Sequence, residues 1–117
     1  MIERISGVSA GRSSATAWQS LVWAVATAGT KSESIEQQTL ETLSRLDANL
    51  EALGANKHDI VSATVYLSDI ANKSKMDTVW CQWIGPDPSH WPQRACVGVA
   101  LAPGDLVEIV AVAVKPE

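Results

Sequence analysis

The chain has 117 residues, of which 46% are hydrophobic, and a formal net charge of −4 at pH 7. This length suits one domain with a single core, and the balance of apolar and charged residues is that of an ordinary globular protein. The acidic balance disfavours nucleic acid as a partner, because binding to a phosphate backbone calls for a basic stripe. We therefore expect one domain over residues 1–117, with no nucleic-acid partner.

The chain shows no sign of export or of membrane insertion. Its first residues, Met1–Ile5, lack the apolar core of a signal peptide, and the apolar run Leu21–Ala26 is too short to cross a bilayer. The two cysteines, Cys81 and Cys96, provide neither a disulfide framework nor a zinc site. We therefore expect a reduced, cytoplasmic protein that binds no membrane and no metal.

Three short strands are predicted before the first helix, at Ile2–Ser6, Ala15–Trp18 and Leu21–Ala26. The second and third strands are separated only by Gln19 and Ser20. A two-residue connection between strands predicts a tight hairpin turn, although neither residue is glycine or asparagine.

A long helix is predicted after Ser34. Ser34 and Gln37 have the spacing of a capping box, and Gly54 stands where a left-handed C-terminal cap is common. Leucines recur between them at helical spacing, at positions 40, 43, 46, 50 and 53. We expect this leucine stripe to face the core, and the other face of the helix carries Glu41, Arg45 and Glu51.

The second half of the chain predicts a strand, a helix and two further strands. Ile60–Leu67 alternates apolar and polar residues, as a half-buried strand does. Ser74–Ile84 is predicted to be a helix whose buried stripe is formed by Met76, Val79, Trp80 and Trp83. Pro92–Leu101 and Leu106–Val114 are predicted to be strands that pair as a hairpin through the turn-forming residues Ala102–Asp105.

The order of these elements, β-β-β-α-β-α-β-β, predicts an α+β fold in which two helices cover one face of a mixed sheet. The last strand is apolar on both faces, because Val107, Ile109 and Ala111 alternate with Val110 and Val112. Such a strand needs cover on both sides of the sheet. Since the helices cover one side, we expect the other side to meet another subunit.

Two charges interrupt the apolar hairpin, Arg94 in its first strand and Glu108 in its second. Burying an isolated charge is costly, so each should have a partner, a ligand or access to water. The planar guanidinium of Arg94 suits a carboxylate ligand, and a structural ion pair is the alternative. Glu108 suits a general acid or base, or a group that positions water, and the alternative is again a structural ion pair.

Two more side chains lie close to Arg94 in the sequence. Cys96 shares a strand face with it, and we interpret Cys96 as a wall residue, because no base is evident that would activate its thiol. Trp91 stands three residues before Arg94, at the start of the strand. Its large ring makes it a candidate for lining the same pocket.

The two final strands resemble the signature of the Rid (RidA/YjgF) family, the reactive intermediate deaminases. That signature has Pro-x-Arg-small-x-Val on one strand and aliphatic-Glu-Ile on the next. It is matched here by Pro92, Arg94, Ala95, Val97, Val107, Glu108 and Ile109. The resemblance extends over most of the chain. It implies a single Rid-like domain with the chorismate-mutase-like sandwich, assembled as a homotrimer with sites in the clefts between subunits.

By this resemblance the protein would be a hydrolase acting on C=N bonds. It would convert reactive 2-imino or enamine acids, such as 2-iminobutanoate and 2-iminopropanoate, to 2-keto acids and ammonia, without a metal or an organic cofactor. Arg94 would hold the substrate carboxylate, and Glu108 would help the attacking water. Cys96, Trp91 and Asp77 would line the substrate-binding cleft.

Some positions depart from the family pattern. Deaminating members carry an asparagine on the second helix where Asp77 stands here, and a carboxylate near Arg94 would compete with an anionic substrate. Val25-Ala26 replaces the family's Ser-Gly or Thr-Gly, unless a shifted alignment places Gly29 there. Gly11-Arg12-Ser13-Ser14 stands where an aromatic residue is common. These changes keep a second interpretation open, a diverged relative without catalysis that binds a small metabolite or a protein partner.

The predicted hairpin also separates Arg94 from Glu108. A turn centred on Pro103-Gly104 would offset the two residues by about five positions, or roughly 16 Å at about 3.3 Å per residue. One small substrate cannot span that distance. We therefore expect a shared site to combine Arg94 of one subunit with Glu108 of another.

Overall fold

The computed structural model describes all residues, 1–117, and contains six β-strands and two α-helices. The strands are β1 (Glu3–Ser6), β2 (Ser13–Trp18), β3 (Leu21–Thr27), β4 (Ile60–Leu67), β5 (Gln93–Gly98) and β6 (Val107–Val114). Helix α1 (Ile35–Glu51) lies between β3 and β4, and α2 (Lys73–Ile84) lies between β4 and β5. The predicted order of elements and the α+β class are confirmed.

Capping and turn residues set the ends of several helices and strands. Ser34 caps α1 by accepting a hydrogen bond from the backbone N–H of Gln37. The Gln37 side chain donates to Glu41 instead of completing the expected capping box. Gly54, just beyond the helix, has a φ of +85°, as a left-handed cap requires. Gln19 adopts a φ of +55°, which closes the β2–β3 turn without glycine or asparagine.

The six strands form one mixed sheet in the order β1-β2-β3-β6-β4-β5. The predicted hairpin between the last two strands is wrong, because β5 pairs in parallel with β4, and β6 lies between β3 and β4. The strand–helix–strand unit β4-α2-β5 explains this difference, since a crossover helix allows two strands to run parallel. The loop after β5 then passes the end of β4, where Val99 N–H donates to Leu67 O and Ser68 N–H donates to Leu106 O.

Both helices pack on one face of the sheet and enclose a single core. Side chains with no exposure include Leu46, Leu50, Val65, Leu67, Met76, Val107 and Ile109. The leucine stripe of α1 is buried as predicted except at Leu40, which is 56% exposed. Leu40 lies about 100° around the helix from the mean direction of the other leucines, and Thr39 and Thr42 are buried on the core side of the helix.

Gln38 is a fully buried polar side chain that joins the start of α1 to the loop before β6. Its Nε2 donates to the carbonyls of Ser32 and Gly104, at 2.7 and 2.8 Å. Its Oε1 accepts a hydrogen bond from the Leu106 N–H at 2.9 Å. A buried amide with these partners is satisfied, and it holds the backbone immediately before β6 in place.

The second face of the sheet carries no helix. Trp23 of β3 and Val112 of β6 are paired neighbours there, and Trp23 is 38% exposed. Val110 and Val114 lie on the same face of β6 and are also partly exposed. The face is therefore apolar and open to water in a single copy, in agreement with the two-faced pattern of the last strand. Neither helix is long and apolar enough to span a bilayer.

Candidate functional site

Arg94 and Glu108 lie on opposite faces of the sheet. Arg94 in β5 pairs with Ala63 of β4, whose side chain is buried beneath the helices. Glu108 in β6 pairs with Tyr66, three positions further along β4. Paired residues point to the same side of a sheet and successive residues alternate, so this odd separation directs the two charges to opposite sides. Within one copy, the alternation of faces separates them, rather than a distance along a hairpin.

Arg94 lies among side chains of α2 in what we call the Arg94 cluster, formed by Lys73, Met76, Asp77, Trp80 and Arg94. Its Nη2 donates to Asp77 Oδ1 at 2.6 Å, and its Nη1 donates to the Met76 sulfur at 3.8 Å. The guanidinium carbon lies 5.0 Å from the centre of the Trp80 ring, within the range of a cation–π interaction. The Arg94 side chain is 18% exposed, so it is oriented by its neighbours and still reachable from solvent.

Asp77 links Arg94 to Lys73, whose Nζ donates to Asp77 Oδ2 at 2.7 Å. Burial opposes ionisation of this carboxyl group, but the hydrogen bonds from Lys73 and Arg94 outweigh that effect and hold the pKa of Asp77 below its ordinary value. Two cations and one carboxylate leave a positive charge in excess. The cluster therefore contains a structural ion pair and still attracts an anion.

Cys96 and Trp91 take different positions beside Arg94. Cys96 lies on the same face of β5 and packs against the core, and burial raises the pKa of its thiol. A protonated thiol agrees with a wall residue. Trp91 is 54% exposed, and its indole Nε1 donates to Gly85 O at 2.9 Å. This bond holds the ring against the residue that ends α2.

Glu108 lines a cavity of about 430 Å³, which we call the Glu108 cavity. Its wall is built from the β1–β2 connection, the end of β3, the middle of α1 and the loop before β6. Ala26 and all of Arg12-Ser13-Ser14 contribute to it. The positions at which the chain departs from the family pattern near its N-terminus therefore lie around Glu108. Neither Arg94 nor any of the three residues predicted beside it, Asp77, Trp91 and Cys96, lines this cavity.

Two residues of α1 in the cavity wall were missed by sequence reasoning. Asn49 Nδ2 donates to Val25 O at 2.9 Å, and Arg45 Nη1 donates to Thr27 O at 3.4 Å. Arg45, which the sequence places on the face away from the leucine stripe, is half-buried in this wall. The spacing of Arg45 and Asn49 in the sequence could have indicated this, because residues four positions apart lie on the same side of a helix, here beside the leucine stripe.

Metal-binding side chains do not converge in this structure. No group of three or more His, Cys, Asp or Glu residues has a geometry that could hold a metal ion. His58 and His90 stack with their ring centroids 3.9 Å apart, and His90 Nε2 lies 3.8 Å from Asp87. Around Arg94 and Glu108, a ligand could therefore use the charged groups of the Arg94 cluster and of the Glu108 cavity.

Comparison with known sequences identifies relatives of this chain. The family model described as Endoribonuclease L-PSP matches residues 13–115. A RutC family protein of Pyrococcus horikoshii is 38% identical over 82 residues, which span 69% of this chain and 63% of that protein. A RutC family protein of Haemophilus ducreyi is 37% identical over 81 residues, which span 68% of each chain.

Solved structures share the fold over nearly the whole chain. A YjgF-family protein of Neisseria meningitidis has a TM-score of 0.91 at 28% identity, covering 100% of this chain and 97% of that one. A YjgF-family relative from Mycobacterium tuberculosis has a TM-score of 0.86 at 30% identity, covering 97% of this chain and 99% of that one. With residues 13–115 matched by the family model, this chain belongs to the Rid (RidA/YjgF) family.

Proposed function

We propose that this protein is a hydrolytic deaminase of 2-imino and enamine acids, which releases 2-keto acids and ammonia in clefts between its subunits. The observation that supports this most directly is the state of Arg94, which is packed and oriented but only partly satisfied. Asp77 and Met76 each accept one of the five N–H groups of the guanidinium. A substrate carboxylate can use the remaining donors in a bidentate contact.

The proposed reaction needs orientation and charge placement more than a reactive group. In an iminium acid the carbon of the C=N bond is already electrophilic, and the oxygen of a water molecule forms a bond to it. A proton passes from that oxygen to Glu108 and from Glu108 to the nitrogen. The C–N bond then breaks with its electron pair on nitrogen, so that ammonia leaves while the C=O bond forms. The remaining hydroxyl proton passes through Glu108 to the departing ammonia, which is released as ammonium. No metal or organic cofactor takes part.

The proposed site combines two copies of the chain, since Arg94 and Glu108 lie on opposite faces of one sheet. The apolar open face around Trp23 and Val112 supplies a surface for association. The proposed assembly is a homotrimer in which the Arg94 cluster of one subunit closes the Glu108 cavity of the next. Such a cleft would exclude bulk water and strengthen the charge interactions within it.

The contact between Arg94 and Asp77 favours a second candidate, a relative without catalysis that binds a small metabolite or a protein partner. An internal carboxylate at 2.6 Å already occupies part of the guanidinium, so an incoming anion must compete with it. The two candidate functions predict different results in an imine-decay assay. A deaminase turns imines over, whereas a binding protein shows saturable binding and leaves the decay of imines unchanged.

The test generates 2-imino acids with an amino-acid oxidase, removes the peroxide with catalase, and follows the decay of the imine with and without the protein. We expect decay to accelerate in proportion to protein concentration, and Glu108→Gln to remove most of the acceleration. Glu36→Gln, on the exposed side of α1, is the matched control. Decay at the buffer rate for several imino acids would rule out the deaminase and leave the binding protein, which calorimetry with 2-keto acids then tests.

A further inference from the structure

The Glu108 cavity concentrates positive charge in an acidic protein. Its lining includes three basic side chains, Arg12, Lys31 and Arg45, and two acidic ones, Asp105 and Glu108. Lys31 and Asp105 form an ion pair with each other. The two arginines therefore stand against the single carboxylate of Glu108, in a chain whose formal net charge is −4.

Arg45 is held in this wall without a salt bridge. It projects from the middle of α1, is half-buried, and makes one hydrogen bond, to the carbonyl of Thr27. Glu41, one turn earlier on α1, is engaged by Thr30 and Gln37 and forms no salt bridge with Arg45, although the hydrogen bonds from Gln37 and Thr30 and the charge of Arg45 together lower its pKa. A half-buried guanidinium with one carbonyl partner retains several donors for a ligand.

Arg12 is brought to the same cavity by the tight β1–β2 connection. A Cβ atom at Gly7 would lie 2.7 Å from the carbonyl oxygen of Arg12, so the close approach of these two backbone segments requires glycine. Gly11 next to it has a φ of +85°. The Arg12 side chain is exposed and forms none of the five salt bridges in the structure.

We propose that Arg12 and Arg45 form a second anion subsite, which selects imino acids whose own side chain ends in a carboxylate. This inference rests on the proposed function, because the first carboxylate is assigned to Arg94 of the neighbouring subunit. Two guanidinium groups with free donors match a carboxylate in charge and geometry. A volume of about 430 Å³ lies within the range of small-molecule sites, about 300–1,000 Å³.

The discriminating experiment compares two imines of equal carbon number, those generated from glutamate and from norvaline. We expect kcat/KM to favour the glutamate imine by about tenfold or more, the effect of one charge-assisted contact. Arg12→Gln and Arg45→Gln should each reduce this ratio severalfold, and the double variant should bring it close to one. Arg45→Lys keeps the charge without the bidentate geometry, so it should lose less of the preference than Arg45→Gln. Arg4→Gln, on the exposed edge strand, should leave the ratio unchanged.

A binding measurement separates this inference from the proposed function. Calorimetry should show 2-oxoglutarate bound more tightly than 2-oxopentanoate, with the difference lost in the Arg12→Gln, Arg45→Gln double variant. Turnover of both imines at equal kcat/KM, or equal affinity for the two keto acids, would overturn the subsite. If neither imine is turned over, the deaminase fails, and a dicarboxylate preference that depends on the two arginines would still establish the subsite.

Discussion

The Arg94 cluster and the Glu108 cavity differ in how their charged side chains are paired. In the cluster, Asp77 accepts short hydrogen bonds from both Lys73 and Arg94, and these bonds orient the guanidinium. In the cavity, neither Glu108 nor two of the three basic side chains belongs to any of the structure's five salt bridges. The cluster is pre-organised by the protein itself, whereas the cavity depends on water or on a ligand to stabilise its charges.

This contrast indicates a division of roles within the proposed site. A pre-organised guanidinium suits the part that every proposed substrate shares, the carboxylate next to the reacting carbon. An open cavity with uncommitted charges suits the attacking water and the side chain that differs between substrates. Because the two regions lie on opposite faces, neither is expected to act without a neighbouring copy.

The largest expected effect comes from removing the pre-organised charge. Arg94→Ala should lower kcat/KM for imine hydrolysis on the order of a hundredfold, because a bidentate charge-assisted contact is lost. The matched control is Arg4→Ala, since Arg4 is exposed on β1 and forms no salt bridge. Steady-state kinetics on one imine measure both variants. Undiminished activity in Arg94→Ala would remove its assigned role.

A mixing experiment tests whether the two regions meet across subunits. Arg94→Ala and Glu108→Ala should each be inactive alone, and subunit exchange should restore part of the activity. If every site takes one residue from each of two neighbours, random equal mixing regains about a quarter of the wild-type activity. Mass spectrometry of differently tagged chains confirms the mixed oligomers. Mixed oligomers that remain inactive would contradict a site shared between subunits.

Asp77→Asn tests how strongly the internal carboxylate of the cluster limits anion binding by Arg94. We expect 2-keto acids to bind severalfold more tightly to this variant, because like-charge repulsion is removed while the amide can still accept a hydrogen bond from Arg94. Isothermal titration calorimetry with pyruvate measures the change. Unchanged affinity would show that Asp77 does not influence the ligand and belongs only to the packing of α2 against β5.

The same substitution has a pH signature. The pKa of Asp77 is lowered in the folded protein, so its ion pairs stabilise the fold fully above the ordinary aspartate pKa of about 3.9 and lose that contribution as the pH falls through the lower folded value. The wild type should exceed Asp77→Asn in free energy of unfolding by about 1 kcal/mol at neutral pH. Urea titrations at one protein concentration should show this difference shrink as the pH falls below the ordinary aspartate pKa. A difference that is independent of pH would contradict the ionic origin.

Features that depend on neighbouring residues could be predicted from the sequence. The cap at Ser34, the left-handed Gly54 and the alternation in β4 are local, and the structure confirms them. Arg94 and Glu108 could likewise be found in the sequence, because both interrupt apolar strands and both match the family signature. Leu40 shows the limit of a one-dimensional pattern, since a leucine spaced three from the next can still lie on the edge of the buried face.

Features that join distant segments could not be predicted in the same way. The pairing of β5 with β4 depends on α2 crossing over the sheet, and turn-forming residues at Pro103-Gly104 favoured the competing hairpin. The Glu108 cavity draws its wall from four separate segments, so no window of the sequence displays it. The role of Arg45 in this wall was missed for the same reason, because the β1–β2 connection and the end of β3 line the cavity on its side of α1.

The buried amide of Gln38 has a consequence for how this protein can change. It holds the carbonyl of Gly104 and the N–H of Leu106, and Glu108 follows only two residues later. Asp105, between those anchors, also pairs with Lys31 in the cavity wall. One side chain in the first helix thus fixes the backbone beside Glu108, which lies 70 residues later in the chain. A substitution at Gln38 would therefore disturb both the fold and the cavity wall that carries Glu108, whereas Arg12 lies outside this set of contacts.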